Sequence, residues 1–414
     1  MIRFGKSNVH PIGLDIGHDS VKMIQLEQSG NALSVCAAAR CALPEQGGDW
    51  PAESPDHAAV LERSCTRWRT ACELIRSMKS REKFRGDRMT AALPRELLHI
   101  RHFRLPNSLT KPTGAEMEHQ ARQLLPIDPQ SAQLLYISPG EVRSGSETRQ
   151  EVILIAALKS DVKLFVDTFK EAGVILDGLD FEPCAMYRAV DRFVRRRDDE
   201  NELHVLVDVG FDHSQVVIGK GKDIHFIRPI AVGGRNFVQA VSRKLGISFD
   251  EARALRRRFE DVSDDAWKSS AISDLVIPSA IDHDDPIRKA ANDATRSAIE
   301  ELSRQISMCL RYYAVTFRGE PPTQLRLIGG EASDPQLLSI LNRCLSIPAE
   351  LARPLLNVDT LRMKHSDKSA ASSSWGLALG LALRFADGPF GPRDGKPRNR
   401  NTRVNEYPQI ERVG

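Results

Sequence analysis

The stretch GLDIGHDSVKMIQLE (13–27) decides the fold. An apolar run ends in Asp15-Ile16-Gly17, a short polar turn leads to Ser20, and a second strand-like run starts at Val21. The phrase returns at VDVGFDHSQVVIGKGK (207–222), with Asp208 and Gly210 at the same spacing and the hydroxyl, Ser214, one residue further on. Glycine in such a turn lets successive N–H groups face one way and lets an anion approach without meeting a Cβ. Serine adds a hydroxyl donor. The aspartate repels phosphate but suits Mg²⁺, which takes carboxylate oxygen and keeps much of its water. Two such hairpins facing one another would hold a polyphosphate and its metal from both sides.

Other phosphate motifs do not fit. G-x-G-x-x-G must open a helix, and VKMIQLE continues as a strand. Gly-Lys-Ser at 5–7 lacks the upstream glycine of a Walker loop, and GKGK (219–222) reads as a β-turn. A third element lies at LRLIGGEASDPQLL (325–338), a strand ending in Gly329-Gly330 before a capped helix. It suits the flat face of a purine resting on bare backbone, and equally an ordinary strand–helix turn.

The 414 residues are enough for two or three domains. Net charge is only +3, from 58 basic and 55 acidic residues. That balance argues against wholesale nucleic-acid binding, which calls for a strongly basic face. The basic runs RFVRRR (192–197) and ALRRRF (254–259) lack interleaved aromatics and read as helix surface. The seven cysteines form no Cys-x-x-Cys and no zinc spacing, and read as reduced core thiols. No signal peptide is visible at MIRFGKSNVH. WGLALGLALRF (375–385) is apolar, yet too short for a membrane span, which needs about 20 residues. Its Gly376 and Gly380 suit the close packing of a buried helix.

Along the chain, three strands (to about residue 42) precede a Pro/Gly/acid loop (44–56) and a helix over 58–81. Residues 89–106 read as two strands broken at Pro94, and 114–126 as a helix stopped by Pro126. Two strands around the polar tip RSGSETRQ (143–150) lead to a helix over 160–173, capped by Ser160 and stopped at Gly173. A strand (175–183) and a helix (184–197) follow. The charge run RRRDDENE (195–202) marks a boundary, after which the strand–turn–strand pattern restarts. Residues 260–285 are acidic and without pattern, 286–318 a long helix, and the tail 387–414 basic, poor in apolar residues and expected to be disordered.

The two hairpins and the Gly-Gly turn, in this order, resemble the actin/Hsp70/sugar-kinase ATPase superfamily. Within it, GLDIGHDSVKMIQL, MTAALPRELLHIRHFRLP, ARQLLPIDPQSAQLLY, VDVGFDHSQVVIGKGKDIHFIRPIAVGGRNF, LRLIGGEASDPQLLSIL and WGLALGLALR are similar to blocks of the PilM pilus-assembly family and its relative FtsA. The resemblance covers about 10–386, with a gap near 260–285. It implies an α/β fold, an actin-like (ribonuclease H-like) pair of lobes with an FtsA/PilM-type inserted subdomain. The first lobe would be 1–200 with the insert near 88–180, and the second 201–386 with an upper subdomain near 236–305.

The resemblance also implies a cytoplasmic adaptor that binds ATP with Mg²⁺ and turns it over slowly at most. Its expected partner is the N-terminal peptide of a PilN-like inner-membrane protein, with indirect membrane contact, no nucleic acid and room for self-association. By position, Asp15, Gly17, Ser20 and Lys22 would form the first phosphate loop, and Asp208, Gly210 and Ser214 the second. Gly233 and Gly234 would approach phosphate or ribose, and Gly329, Gly330 and Glu331 the adenosine; Asp15 and Asp208 would hold Mg²⁺ through water. The chain departs from the family where relatives carry a Glu and a Lys: it has Arg253 and Arg256, so the carboxylate that would accept from ribose hydroxyls is missing. Phe211 and His213 also make the second loop bulkier.

Two other readings belong to different classes. A small-molecule kinase or ATPase of the same superfamily would need a substrate motif, and none is visible. An FtsA-like division anchor would end in an amphipathic helix, whereas GPRDGKPRNRNTRVNEYPQIERVG has no apolar face.

Overall fold

A computed structural model describes residues 8–30, 32–44, 56–106, 114–144, 147–191, 202–221, 223–258, 286–317, 321–363, 372–386 and 410–412. The charge run at 195–201, the stretch 260–285, most of the loop 44–56 and the tail other than 410–412 lie outside the described residues.

The opening apolar runs fold as an antiparallel meander, β2 (Ile12–Ile16), β3 (Ser20–Ser29) and β4 (Ala32–Ala42), with β1 (Asn8–Val9) paired to β3. β2 continues in parallel to β5 (Met89–Ala92) and thence to β9 (Leu176–Asp180). β15 (Val358–Asp359) adds to β4, giving the order β15-β4-β3-β2-β5-β9. α1 (His57–Arg81) starts where the Asp56 carboxylate accepts from Ala58 N–H. It buries Trp68, Ala71, Cys72 and Ile75 on this sheet, with Trp68 edge-on to Phe165 of α3 (Lys159–Glu171) at 5.0 Å.

The same phrase builds a second sheet, β12 (Asp223–Ile230), β11 (Ser214–Lys220), β10 (Leu203–Val209), β13 (Leu325–Ile328) and β14 (Ala349–Leu351), in that order. Phe237 of α5 (Gly234–Leu245), Ile299, Leu302 and Ile306 of α7 (Pro286–Phe317) and Leu341 of α8 (Pro335–Cys344) fill the core against it. Residues 249–258 form a further helix, α6, between α5 and α7.

β5 and β9 are neighbours in the first sheet, yet residues 93–175 separate them in the chain. That excursion carries three strands of a third sheet, β7 (Ala132–Ser144), β8 (Glu147–Leu158) and β6 (His99–Pro106), and β16 (Ile410–Arg412), from the tail expected to be disordered, pairs with β7 at its edge. Met117 and Ala121 of α2 (Gly114–Leu124) are buried on it. It touches the second half of the chain, where a His102 Nε2–H donates to Ile227 O at 2.8 Å.

Residues 372–386 bring the chain back to the first sheet. α9 (Gly376–Ala382) lies against α4 (Glu182–Asp191) and β2 so closely that a Cβ on Gly380 would stand 1.8 Å from Ala185 O, and one on Gly13 2.0 Å from Ala378 O. The small residues therefore serve close packing of a buried helix, as the sequence suggested. Among the described residues no helix is long and apolar enough to cross a membrane.

Three local expectations change. α3 starts one residue early, its N-cap is Leu158, and the Ser160 hydroxyl instead donates to Asp161. The 143–150 tip is much tighter, because β7 and β8 run in to Ser144 and Glu147. Of the thiols, Cys36, Cys72, Cys184 and Cys309 are buried but Cys344 is exposed.

Candidate functional site

The two repeated turns have the same internal bond. Gly17 N–H donates to Ser20 O at 3.1 Å, and Gly210 N–H to His213 O at 3.1 Å. This folds each turn back on itself and leaves the next amides, those of His18, Asp19, Phe211 and Asp212, without a hydrogen bond among the described residues. Both turns line one cavity of about 450 Å³ between the first and second sheets. That is the size of a small-molecule or cofactor site.

Of the residues expected to form a site, Asp15, Gly17, Ser20, Lys22, Asp208, Gly210, Gly329, Gly330 and Glu331 line this cavity. Ser214, Gly233 and Gly234 do not. Ser214 is fully buried and its hydroxyl donates to Val232 O at 2.6 Å. Gly233 and Gly234 are spent on packing: a Cβ on Gly233 would lie 2.7 Å from Gly210 O, and one on Gly234 2.2 Å from Glu331 Oε1. The amides of Gly234 and Arg235 donate to the second turn's carbonyls, so the start of α5 braces that turn from behind. The Gly329-Gly330 pair divides its work. Gly329 has φ +108° and leaves room for Asp208 Oδ1, which a Cβ would meet at 2.3 Å. Gly330 has nothing within 4 Å of a Cβ position, so its backbone presents an open surface.

The repeat is not electrostatically symmetric. Asp15 Oδ2 accepts from Lys22 Nζ at 2.9 Å, both side chains nearly buried. The Asp208 carboxylate has no hydrogen bond or ion pair among the described residues. Burial, with Asp15 nearby, pushes its carboxyl up to about 7, against the pull of His213. Glu182, at the start of α4, faces the same space and burial pushes it also to about 7. On the opposite side burial alone would raise Asp212, but His213, His18 and Arg235 hold it well below the usual carboxylate range. An uncompensated buried carboxylate such as Asp208 is what a divalent cation would relieve. Among the described residues no three His, Cys, Asp or Glu side chains converge as a ready-made metal site.

Seven cationic side chains line the cavity: Lys22, Arg40, Arg67, Arg95, Arg253, Arg256 and Arg257. Arg67 pairs with Glu96, whose carboxyl burial would raise but which Arg67 and His18 bring down to about 2. Arg256 Nη2 donates to Glu331 Oε2 at 2.8 Å and to Asp334 Oδ2 at 3.2 Å, the latter being the N-cap of α8. Glu331 is therefore already bound.

A family model described as "Type IV pilus assembly protein PilM" matches residues 13–265. The chain belongs to the PilM family of type IV pilus assembly proteins. A solved PilM chain, from a PilM-PilN type IV pilus biogenesis complex, superposes with TM-score 0.64 at 19% identity, covering 90% of this chain and 98% of that one. The fold is thus actin-like. The ethanolamine utilization protein EutJ from Carboxydothermus hydrogenoformans aligns with TM-score 0.46 at 12% identity, over 90% of this chain and 89% of that one. The cell division protein FtsA of Bacillus subtilis (strain 168) is 21% identical over 210 residues, 51% of this chain. The chain spans about half the length of that curated relative, 46%.

Sequence reasoning missed Glu182, Glu96, Arg67, Asp19 and Arg257. Glu182 had a legible signal, since FEP (181–183) closes the strand that lies next to β5. Asp19, within GHDS, gave none, because its partners lie more than 230 residues away.

Proposed function

We propose that this PilM-family chain is an ATP-loaded adaptor of a type IV pilus assembly complex. In this reading ATP lies in the cavity between the two sheets. The free amides of both turns and Lys22 bind phosphate, Asp15 and Asp208 hold Mg²⁺ through water, and Gly330 underlies the adenosine. Bound Mg²⁺ would screen phosphate charge and bridge it to the protein. The observation that carries the reading is the convergence of two DxG turns with free amides on one cavity of about 450 Å³, in a chain matched by the PilM family over 13–265.

The partner in this reading is the N-terminal cytoplasmic peptide of a PilN-like inner-membrane protein. The solved relative was described as a PilM-PilN complex. A cytoplasmic place at the inner membrane, reached through that partner, follows from the same reading. An extended peptide adds to an exposed sheet edge or seats apolar side chains in a groove, and the inserted third sheet is the candidate surface. Titrating the full chain with the N-terminal peptide of the bitopic protein encoded beside it tests this, with and without Mg-ATP. Binding on the order of micromolar, as for a short peptide that orders on binding, is the expected result. No binding in either state would overturn the adaptor.

One observation favours slow hydrolysis as a second reading. Glu182 is a cavity-facing carboxylate held near neutral pH, the range suited to a general base. A turnover above about 1 s⁻¹, the lower end for kinases, would favour an enzyme over a scaffold.

A further inference from the structure

Asp19 sits at the tip of the first turn, and three N–H groups from the far side of the cleft converge on it. Its Oδ1 accepts from Arg253 Nε at 3.1 Å, Arg253 Nη2 at 2.5 Å and Arg257 Nη2 at 2.7 Å. Both arginines belong to α6, one helical turn apart, so they present one doubly charged face. Arg253 is 6% exposed and its guanidinium lies 5.0 Å from the Phe211 ring centroid. The bulky second turn thus supports the arginine from below by cation–π contact. Burial would raise the Asp19 carboxyl, but the two guanidiniums outweigh it and hold it below its ordinary value.

All three residues line the cavity. Arginine recognises phosphate and carboxylate oxygens through the same donor fork. A carboxylate that engages two arginines across a cleft therefore stands where an anionic ligand's oxygens would otherwise be. Three of the other cavity arginines bond within their own wall: Arg256 braces Glu331 and the α8 cap, Arg67 holds Glu96, and Arg95 donates to Leu98 O. The bridge from Asp19 to Arg253 and Arg257 joins the turn of the first sheet to the helix of the second.

We propose that Arg253 and Arg257 form a phosphate-oxygen subsite that Asp19 occupies in cis, so that an incoming polyphosphate must displace Asp19 to enter the cleft. This rests on the reading of the cavity as a nucleotide site and adds a specificity element to it. The latch also ties occupancy to geometry: with Asp19 released, the first turn and α6 are free to separate.

The test uses the full chain and two probes, a fluorescent ATP analogue with Mg²⁺ and inorganic tripolyphosphate as its competitor or as a direct calorimetric ligand. Asp19→Asn is isosteric and removes the charge; Asp19→Ser is the second variant, and thermal melts confirm that each is folded. The expected result is roughly tenfold tighter binding of both probes in either variant. That gain disappears when Arg253→Gln and Arg257→Gln are added. Amide hydrogen exchange of the ligand-free chain should also speed up at 17–19 and 250–257 in Asp19→Asn. Unchanged or weaker binding of both probes would overturn the latch. If tripolyphosphate binds more tightly in the variants while the ATP analogue binds none of the proteins, the subsite stands and the nucleotide reading fails. If neither probe binds any protein, both fail.

Discussion

Lys22 Nζ lies 2.9 Å from Asp15 Oδ2, while Asp208, the counterpart of Asp15 in the repeat, forms no ion pair among the described residues. One half of the site therefore carries its own counter-ion and the other does not, so the two halves respond differently to mutation. Lys22→Met strands a carboxylate that is 6% exposed and should cost about 3–5 kcal/mol. Asp15→Asn added to it should recover most of the loss, because the stranded charge is gone. A double-mutant cycle by urea unfolding checks both.

Opposite pH limbs follow from the carboxylates around the cavity. Glu96 titrates at about 2 in the fold, below its ordinary 4.5. Its contribution is full above the unfolded value and is lost as pH falls from about 4.5 to 2. Glu182 and Asp208 are raised to about 7, so between their ordinary values and 7 the folded chain holds protons that the unfolded chain has released. Stability should therefore fall as pH rises from about 4 to 7, by on the order of 3 kcal/mol for each group. Denaturant melts of Glu182→Gln and Asp208→Asn should show a flattened alkaline limb and an unchanged acid limb.

Gly380 and Gly376 should differ sharply on mutation to Ala. A Cβ at Gly380 meets the Ala185 backbone, which cannot swing aside, whereas at Gly376 it meets the Ile328 side-chain tip. Gly380→Ala is expected to cost about 3 kcal/mol or more and Gly376→Ala about 1, within the range for overpacked cores. Thermal melts of the two variants check the order.

Arg188 joins three elements, donating to Asp180 Oδ2 at 2.9 Å and to Gly380 O at 2.6 Å from within α4. Arg188→Met leaves Asp180, 9% exposed, with Arg384 as its remaining charged partner beside the Phe181 N–H, and should cost about 3 kcal/mol. Arg188→Lys, which keeps the charge but not the fork, should lie between the two. Urea unfolding midpoints give the ranking.

The meanders, the paired turns and the Gly-Gly turn were legible because local periodicity and glycine chemistry make them. Ile12–Ile16 and Ser20–Ser29 read as strands from alternation alone, and Asp334-Pro335 announces a helix start. Most residues lining the cavity were legible for the same reason, since they lie within the quoted turns. What was hidden depends on long-range approach. Gly233 and Gly234 read as ligand-facing, yet the second turn and Glu331 press against them. Ser214 read as a donor to ligand, but its strand ends beside the Val232 carbonyl. The Asp19 bridge joins residues 234 and 238 positions apart, a separation over which neither spacing nor propensity carries information.

The central claim is that the two DxG turns act on one Mg-nucleotide. Calorimetric titration of Mg-ATP into the full chain, and into Asp15→Ala and Asp208→Ala chains shown to be folded, tests it most directly. The account predicts one site per chain, with affinity lowered at least tenfold by either substitution and the Mg²⁺ dependence lost with Asp208. Equal affinity in all three proteins, or no uptake by the parent chain, would contradict it.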